Sequence, residues 1–272
     1  MLNTVLSEPV FKQLRDFIYE KSGIFISDSK KYLVEKKLTA RLQEKNLASY
    51  EDYLSLIKYN GSGGELGKLF DAITTNETYF FREPQQLSVC VDKVVPQVLE
   101  QKKARDIKMW SAACSTGEEA YTLVMMLLEK KTCGRIEMLA SDISDEVMES
   151  AKKAVYGSYS MRNVPEPYQK RYFRNNGWSH ELDASVKSMV KFMNVNLVDA
   201  ARVRAIQGMD VIFCRNVLIY FDDKAKQKAV SLLYDSLRPG GFLFVGSAES
   251  LHSVTRAFKP VVFDKVVVYQ RV

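Results

Sequence analysis

The hydrophobic pattern of this chain changes character at about residue 106, and that change limits the possible folds more than any other feature. Downstream of it, short apolar runs at 107–112, 138–141, 191–194, 211–214, 242–245 and 266–270 alternate with amphipathic stretches. Strands alternating with helices form a parallel sheet covered on its faces by helices, so this part reads as α/β. Upstream the spacing is helical throughout. Ser7 precedes a helix over 9–21 that stops at Gly23 and places Phe11, Leu14, Phe17 and Ile18 on one face. A second helix over 28–45 spaces Val34, Leu38 and Leu42 at every fourth residue, and beside them run Lys37, Arg41 and Lys45. One face packs and its neighbour is positive. Ser49 and Asp52 suit a capping box for a third helix towards Tyr59, and Gly61-Ser62-Gly63-Gly64 breaks the chain before a fourth over 65–73.

The organisation that follows is an all-α domain over 1–83, a linker helix over 84–105, and an α/β domain over 106–272. An insertion over about 157–192, marked by Pro165, Pro167 and Asn175-Asn176-Gly177, is expected to carry a small β-hairpin. Arg238-Pro239-Gly240-Gly241 reads as a tight turn before a late strand.

Composition removes several classes. The longest apolar run, 123–128, is far short of the ~20 residues a membrane span needs, and the N-terminus lacks the basic and apolar regions of a secretory signal. The cytoplasm is the expected compartment. The four cysteines, at 90, 114, 133 and 214, include no Cys-x-x-Cys pair, and there are two histidines, so neither a zinc site nor a disulfide framework is expected. The net charge of +6 suits an acidic protein partner, a nucleic acid, or neither.

The most informative stretch is Trp110-Ser111-Ala112-Ala113-Cys114-Ser115-Thr116-Gly117-Glu118-Glu119, an apolar strand that ends in small residues before a helix. Backbone there can approach a ligand closely. Two carboxylates in the first helical turn would repel a phosphate and suit a cation; the alternative is that they merely complement the helix dipole. Asp142, 23 residues beyond Glu119, ends the next strand beside that loop, where α/β nucleotide folds bind ribose hydroxyls; otherwise it caps the following helix. Loop and acid together point to an adenosine ligand without phosphates, S-adenosylmethionine rather than NAD. Two further polar segments, 74–83 and 213–221, mix aromatics with hydrogen-bonding groups, and the second puts Arg215, Asn216 and Tyr220 at the carboxyl edge of the sheet unless Asn216 serves as a cap.

These segments resemble, in order and over nearly the whole length, chemotaxis receptor methyltransferases of the CheR family. The matching residues are Thr74-Thr75-Asn76 with Phe80-Phe81-Arg82-Glu83, the 110–119 segment, Ala140-Ser141-Asp142-Ile143, Val195-Asn196-Leu197, and Phe213-Cys214-Arg215-Asn216-Val217 with Ile219-Tyr220-Phe221. The resemblance implies a Rossmann-like methyltransferase domain with an inserted β-subdomain behind a small helical domain. It also implies methyl transfer from S-adenosylmethionine to glutamates of methyl-accepting chemotaxis receptors, with S-adenosylhomocysteine as product. Around the cofactor it places Asn76, Thr78, Ala112, Arg215 and Asn216. Arg82 would grip the methionine carboxylate, Glu119 its ammonium, Asp142 the ribose, and Asn196 with Leu197 the adenine. Tyr220 would lie near the transferred methyl and, with Arg82, orient the acceptor carboxylate. Cys114 and Ala120 depart from the residues the family commonly carries and remove no proposed contact.

Receptor cytoplasmic domains are thus the expected partners, with recruitment to receptor arrays; the basic face of Lys37, Arg41 and Lys45 complements glutamate-rich receptor helices and is the expected docking surface, the alternative being a face that is merely solvated. No nucleic acid is expected, since 215–218 reads Arg-Asn-Val-Leu where amino-methylating enzymes usually carry an Asp/Asn-Pro-Pro-Tyr-like segment. A receptor C-terminal pentapeptide is not expected to bind the insertion, because the 174–191 stretch is short and Asn176-Gly177-Trp178 replaces a glycine-richer loop.

Overall fold

The computed structural model describes residues 5–59 and 64–272. Helix α1, Glu8–Ser22, buries Val10, Phe11, Leu14, Phe17 and Ile18, and ends where Gly23 turns left-handed at φ 75°. Ser7 stands ahead of it, but its hydroxyl makes no capping bond; Pro9 in the first turn starts the helix instead. The helix expected over 28–45 is divided into a 3-10 turn, Asp28–Lys30, and α2, Lys31–Glu44. Helix α3, Tyr50–Tyr59, opens on Ser49, whose hydroxyl accepts from the Asp52 N–H at 3.1 Å and bonds the Asp52 carboxylate at 2.6 Å. Helix α4 is Glu65–Ile73; of the break expected before it, residues 61–63 lie outside the described residues.

Val34, Leu38 and Leu42 pack inward as their spacing requires. The basic row beside them does not simply face solvent. Arg41 grips both oxygens of Glu65 (Nε to Oε1 3.0 Å, Nη2 to Oε2 2.8 Å), Lys45 reaches the same carboxylate at 3.1 Å, and the Tyr53 hydroxyl donates to it at 3.1 Å. Glu65 is 3% exposed, so two of the three cations neutralise a buried acid within their own domain. Lys37 donates to the Ile73 and Thr74 carbonyls at 3.0 and 2.9 Å.

The linker is one continuous helical rod: α5 Pro84–Val89, a π turn Cys90–Val94, and α6 Val95–Lys102. The π turn falls just ahead of Pro96, which has no N–H to offer an α-type bond. The α/β part then runs β1 Asp106–Ala112, α7 Glu118–Lys130, β2 Arg135–Asp142 and α8 Asp145–Lys153. Next come β3 Val155–Tyr156, α9 Ser158–Met161, α10 Glu166–Tyr172, β4 Phe173–Asn175, β5 His180–Leu182 and α11 Ala184–Lys187. It continues with β6 Val190–Asn194, α12 Ala200–Arg204, β7 Met209–Cys214, a 3-10 turn Leu218–Tyr220, and α13 Asp223–Ser236. Last are β8 Leu237–Val245, β9 Phe258–Phe263 and β10 Val266–Arg271.

Seven strands form one sheet in the order β6-β2-β1-β7-β8-β10-β9, the first five parallel and the β9–β10 pair antiparallel at its edge. All six expected strands are there. Strand β9 escapes a pattern reading because Lys259 and Pro260 interrupt it, and proline is tolerated on an edge. Residues 238–241 do not turn ahead of a strand; they lie within β8, whose register with β7 slips between Met209 and Val211. The Arg238 guanidinium pins this irregular half to buried Asp210 at 2.6 Å, and Gly240 absorbs it at φ 78°. The insertion carries the expected hairpin, β4–β5, and β3, just ahead of the insertion, joins it as a third strand in the order β3-β5-β4.

Burial pushes the Glu65 carboxyl up, but hydrogen bonds from Arg41, Lys45 and Tyr53 together with the Arg41 charge win and hold it below its ordinary value. Its stabilising contribution is therefore complete above about 4.5 and lost as pH falls through the lowered value. Glu65→Ala leaves Arg41 and Lys45 facing each other without their shared acid, and should cost about 3 kcal/mol in urea unfolding at neutral pH. The difference from wild type should shrink in acid.

Candidate functional site

The sheet's chain order reverses between β1 and β7, since β1, β2 and β6 build to one side while β7 and β8 build to the other. At such a point the loops leaving adjacent strands diverge and open a crevice beyond their carboxyl ends. A cleft enclosing about 1010 Å³, part of it open to solvent, lies there. Its walls are Ala113 to Ser115 after β1, Asp142 and Ile143 after β2, Val195 to Leu197 after β6, and Arg215 to Val217 after β7. Residues 73–78 and Arg82 form a further wall, and Ser22 and Ile24 reach in from the helical domain. That domain is fastened across the opening: the Phe25 N–H donates to the Tyr220 carbonyl at 2.8 Å, Asn196 Nδ2 to the Lys21 carbonyl at 2.6 Å, and the Tyr19 hydroxyl to Asp222 at 2.9 Å.

The loop after β1 approaches the cleft through its backbone. Ala113, Ser115 and Gly117 have φ of 62°, 49° and 91°, and a Cβ on Gly117 would sit 3.1 Å from both Ala151 and Tyr121. Asp142 organises this loop, its two oxygens accepting from the Ser144 N–H at 3.1 Å and the Ser115 N–H at 2.9 Å. The carboxylate keeps lone-pair capacity beyond its backbone bonds. The cap of α8 is Ser144, not Asp142: its hydroxyl oxygen accepts from the Val147 N–H at 3.3 Å and its proton goes to Asp71 of the helical domain at 2.7 Å. Burial pushes the Asp142 carboxyl up, and the backbone N–H bonds only partly offset this.

The two acids that open α7 part company. Glu119 lines the cleft, accepting from the Ser111 hydroxyl at 2.7 Å and from Arg215 Nε at 2.6 Å. Glu118 is buried on another side, takes bonds from Thr116 at 2.7 Å and Ser160 at 2.9 Å, and burial pushes its carboxyl up. Successive helical residues point about 100° apart, so a sequence run of two acids becomes one site residue and one internal tie to the insertion.

Arg215 is enclosed, with a side chain 2% exposed, and is engaged by Glu119, Gln86 at 3.2 Å, Glu83 at 3.4 Å and the Arg82 carbonyl at 3.1 Å. It aims Glu119 while contributing only part of its surface to the wall. Asn76, Thr78, Arg82, Asn196, Leu197, Asn216 and Tyr220 all line the cleft. Ala112 does not: it is buried in the sheet, and Ala113 takes its place on the wall. Phe221, in the 213–221 segment, also lines the cleft, as do Ser22 and Ile24, which no local pattern in the sequence marks because tertiary docking alone brings the helical domain there.

The Glu119 and Asp142 carboxylates with spare lone pairs, the Arg82 guanidinium and an apolar strip of Ile143, Val195 and Leu197 fit a nucleoside joined to an amino acid, and the acids disfavour a pyrophosphate. Fold and site thus define an S-adenosylmethionine-dependent methyltransferase. Residues 76–267 match the family model described as the CheR methyltransferase SAM binding domain, and residues 9–74 match the CheR methyltransferase all-alpha domain. The chain belongs to the CheR methyltransferase family. It is 37% identical to chemotaxis protein methyltransferase 2 of Vibrio cholerae, over 100% of this chain and 96% of the relative. It is 33% identical to the chemotaxis protein methyltransferase of Escherichia coli, over 93% and 88% of the two chains. No helix among the described residues is long and apolar enough to cross a membrane.

Arg215→Lys keeps the charge but replaces a fork by a point donor, which cannot serve Glu119, Gln86 and the Arg82 carbonyl together. A loss of about 2 kcal/mol is expected in chemical denaturation, from at least one charge-assisted bond left unmade.

Proposed function

We propose that this enzyme transfers a methyl group from S-adenosylmethionine to glutamate side chains of methyl-accepting chemotaxis receptors, in the cytoplasm at receptor arrays. The observation that carries the reading is the pair Glu119, in the first turn of the helix that follows β1, and Asp142, at the end of neighbouring β2, both facing one cleft with lone pairs to spare. In this reading Glu119 accepts the ammonium end of the cofactor, Arg82 meets its carboxylate, Asp142 accepts from the ribose, and Asn196 and Leu197 flank the adenine. Asn76, Thr78 and Asn216 complete the enclosure.

S-Adenosylmethionine, when bound, supplies a methyl group on a positively charged sulfur. An acceptor glutamate has an ordinary pKa of about 4.3 and is ionised at neutral pH, so no side chain of the enzyme has to remove a proton. The task left to the protein is alignment, which for a bimolecular step is a large part of the barrier. Tyr220 stands at the cleft on a 3-10 turn anchored by Phe25, and with Arg82 it orients the acceptor carboxylate.

Receptor docking by the basic row is narrowed by the geometry. All three are engaged within the helical domain, but Lys45 keeps a side chain 41% exposed beside its bond to Glu65 and, with exposed Lys30, can face an acidic receptor helix. The inserted sheet has edge strands of two and three residues, β3 and β4, which offer few backbone bonds to an added strand; this supports the expectation that an isolated pentapeptide does not bind.

Labelled S-adenosylmethionine with a receptor cytoplasmic fragment should yield a base-labile methyl ester; label on nucleic acid, or on nothing, would reject the reading. Asp142→Ala should weaken S-adenosylhomocysteine binding by about 1.5–3 kcal/mol in calorimetry, the value of a charge-assisted hydrogen bond. Because burial raises the Asp142 carboxyl above 3.8, wild-type affinity should begin to fall at a higher pH than an exposed aspartate would dictate. Tyr220→Phe should lower kcat by about tenfold or more while leaving cofactor affinity nearly unchanged.

A further inference from the structure

The wall from Asn216 to Tyr220 has an irregular backbone: Asn216 is left-handed at φ 58°, and the chain then tightens into the 3-10 turn that carries Tyr220. Two N–H groups of this wall are satisfied by one side chain from the loop after β8. Glu249 Oε2 accepts from the Asn216 N–H at 2.8 Å and Oε1 from the Ile219 N–H at 3.2 Å, while Oε2 also holds the Gly246 N–H of its own loop at 2.7 Å. The seat is tight, since a Cβ on Gly246 would lie 2.8 Å from both Glu249 Oε2 and Asn216 Nδ2. From the other side Glu83 accepts from Asn216 Nδ2 at 3.2 Å and from the Ser247 N–H at 3.0 Å. Neither carboxylate is among the walls of the cleft.

We propose that Glu249 is a positioning residue for methyl transfer, fixing the Asn216–Tyr220 wall without touching either substrate. The proposal rests on the reading of this cleft as the methyl-transfer site. Only a carboxylate suits the position, because both of its oxygens accept and three N–H groups converge on them. A glutamine of the same length turns its amide NH₂ towards an N–H on one side. Tyr220 is then held between two anchors, Glu249 through Ile219 and Phe25 through its own carbonyl, while Asp142 lies on another loop and Glu119, on α7, is held by Ser111 and Arg215 rather than by Glu249.

The test uses the full chain with S-adenosylmethionine and a receptor cytoplasmic fragment. Glu249→Gln should lower kcat by about tenfold or more while the Kd for S-adenosylhomocysteine rises less than about threefold, a split that general destabilisation would not produce. Combined with Tyr220→Phe, the loss should be clearly smaller than the product of the two single losses, because both changes act on one group. A kcat within about twofold of wild type, or a proportional loss of binding and turnover, would overturn the proposal, as would multiplicative losses where Tyr220→Phe is itself impaired. If Tyr220→Phe alone turns over normally, the role given to Tyr220 falls and Glu249 is judged on the first measurement. Should Glu249→Gln fail to fold, Glu249→Asp, whose shorter side chain cannot span both N–H groups, is held to the same criteria.

Discussion

The guanidinium of Arg215 is the junction on which the site depends. It sits at the end of β7, almost wholly enclosed, and binds a carboxylate from α7, a carboxylate and an amide from the linker helix and its N-terminus, and a backbone carbonyl from the segment before it. Burying an ion is costly unless its hydrogen-bonding capacity is met, and a planar fork surrounded by fixed acceptors meets it in one arrangement of these segments only. Glu119 therefore cannot swing: one oxygen is held by Arg215 and the other by Ser111, which leaves its remaining lone pairs aimed into the cleft.

The helical domain takes part in the same construction. Ser22 and Ile24 are walls of the cleft, Asp71 accepts from the Ser144 hydroxyl at the head of α8, and Lys37 holds the Ile73 and Thr74 carbonyls where the 73–78 wall begins. Movement of this domain would open the side of the cleft lined by Ser22 and Ile24 and disturb the turn next to Asp142. A chain divided by its pattern into two domains thus has one site, assembled where they meet.

Much of this was readable in advance, for a physical reason. Side-chain periodicity reports which residues avoid water, so the six central strands, the helices of the N-terminal domain and its buried stripe of Val34, Leu38 and Leu42 follow from local spacing. Small residues and acids at strand ends report where backbone must be approached, which is why Asp142, Glu119 and the Ala113–Gly117 loop stood out. Strand β9 and the register slip in β8 did not stand out, because proline and glycine normally signal turns, and only an edge position or a neighbour such as Asp210 makes them part of a strand.

By itself the sequence determined the layers, the order of the elements and the strand-end chemistry, since these depend on residues close together in the chain. Tertiary structure alone decided which of two adjacent acids faces the cleft, and that Arg41 and Lys45 answer a buried glutamate 24 and 20 residues away before they answer any partner. It also decided that Ala113 rather than Ala112 lines the cleft and that Glu83 and Glu249 close on the same asparagine. Such outcomes turn on where a charge finds its counter-charge across long loops, and no local pattern encodes that distance.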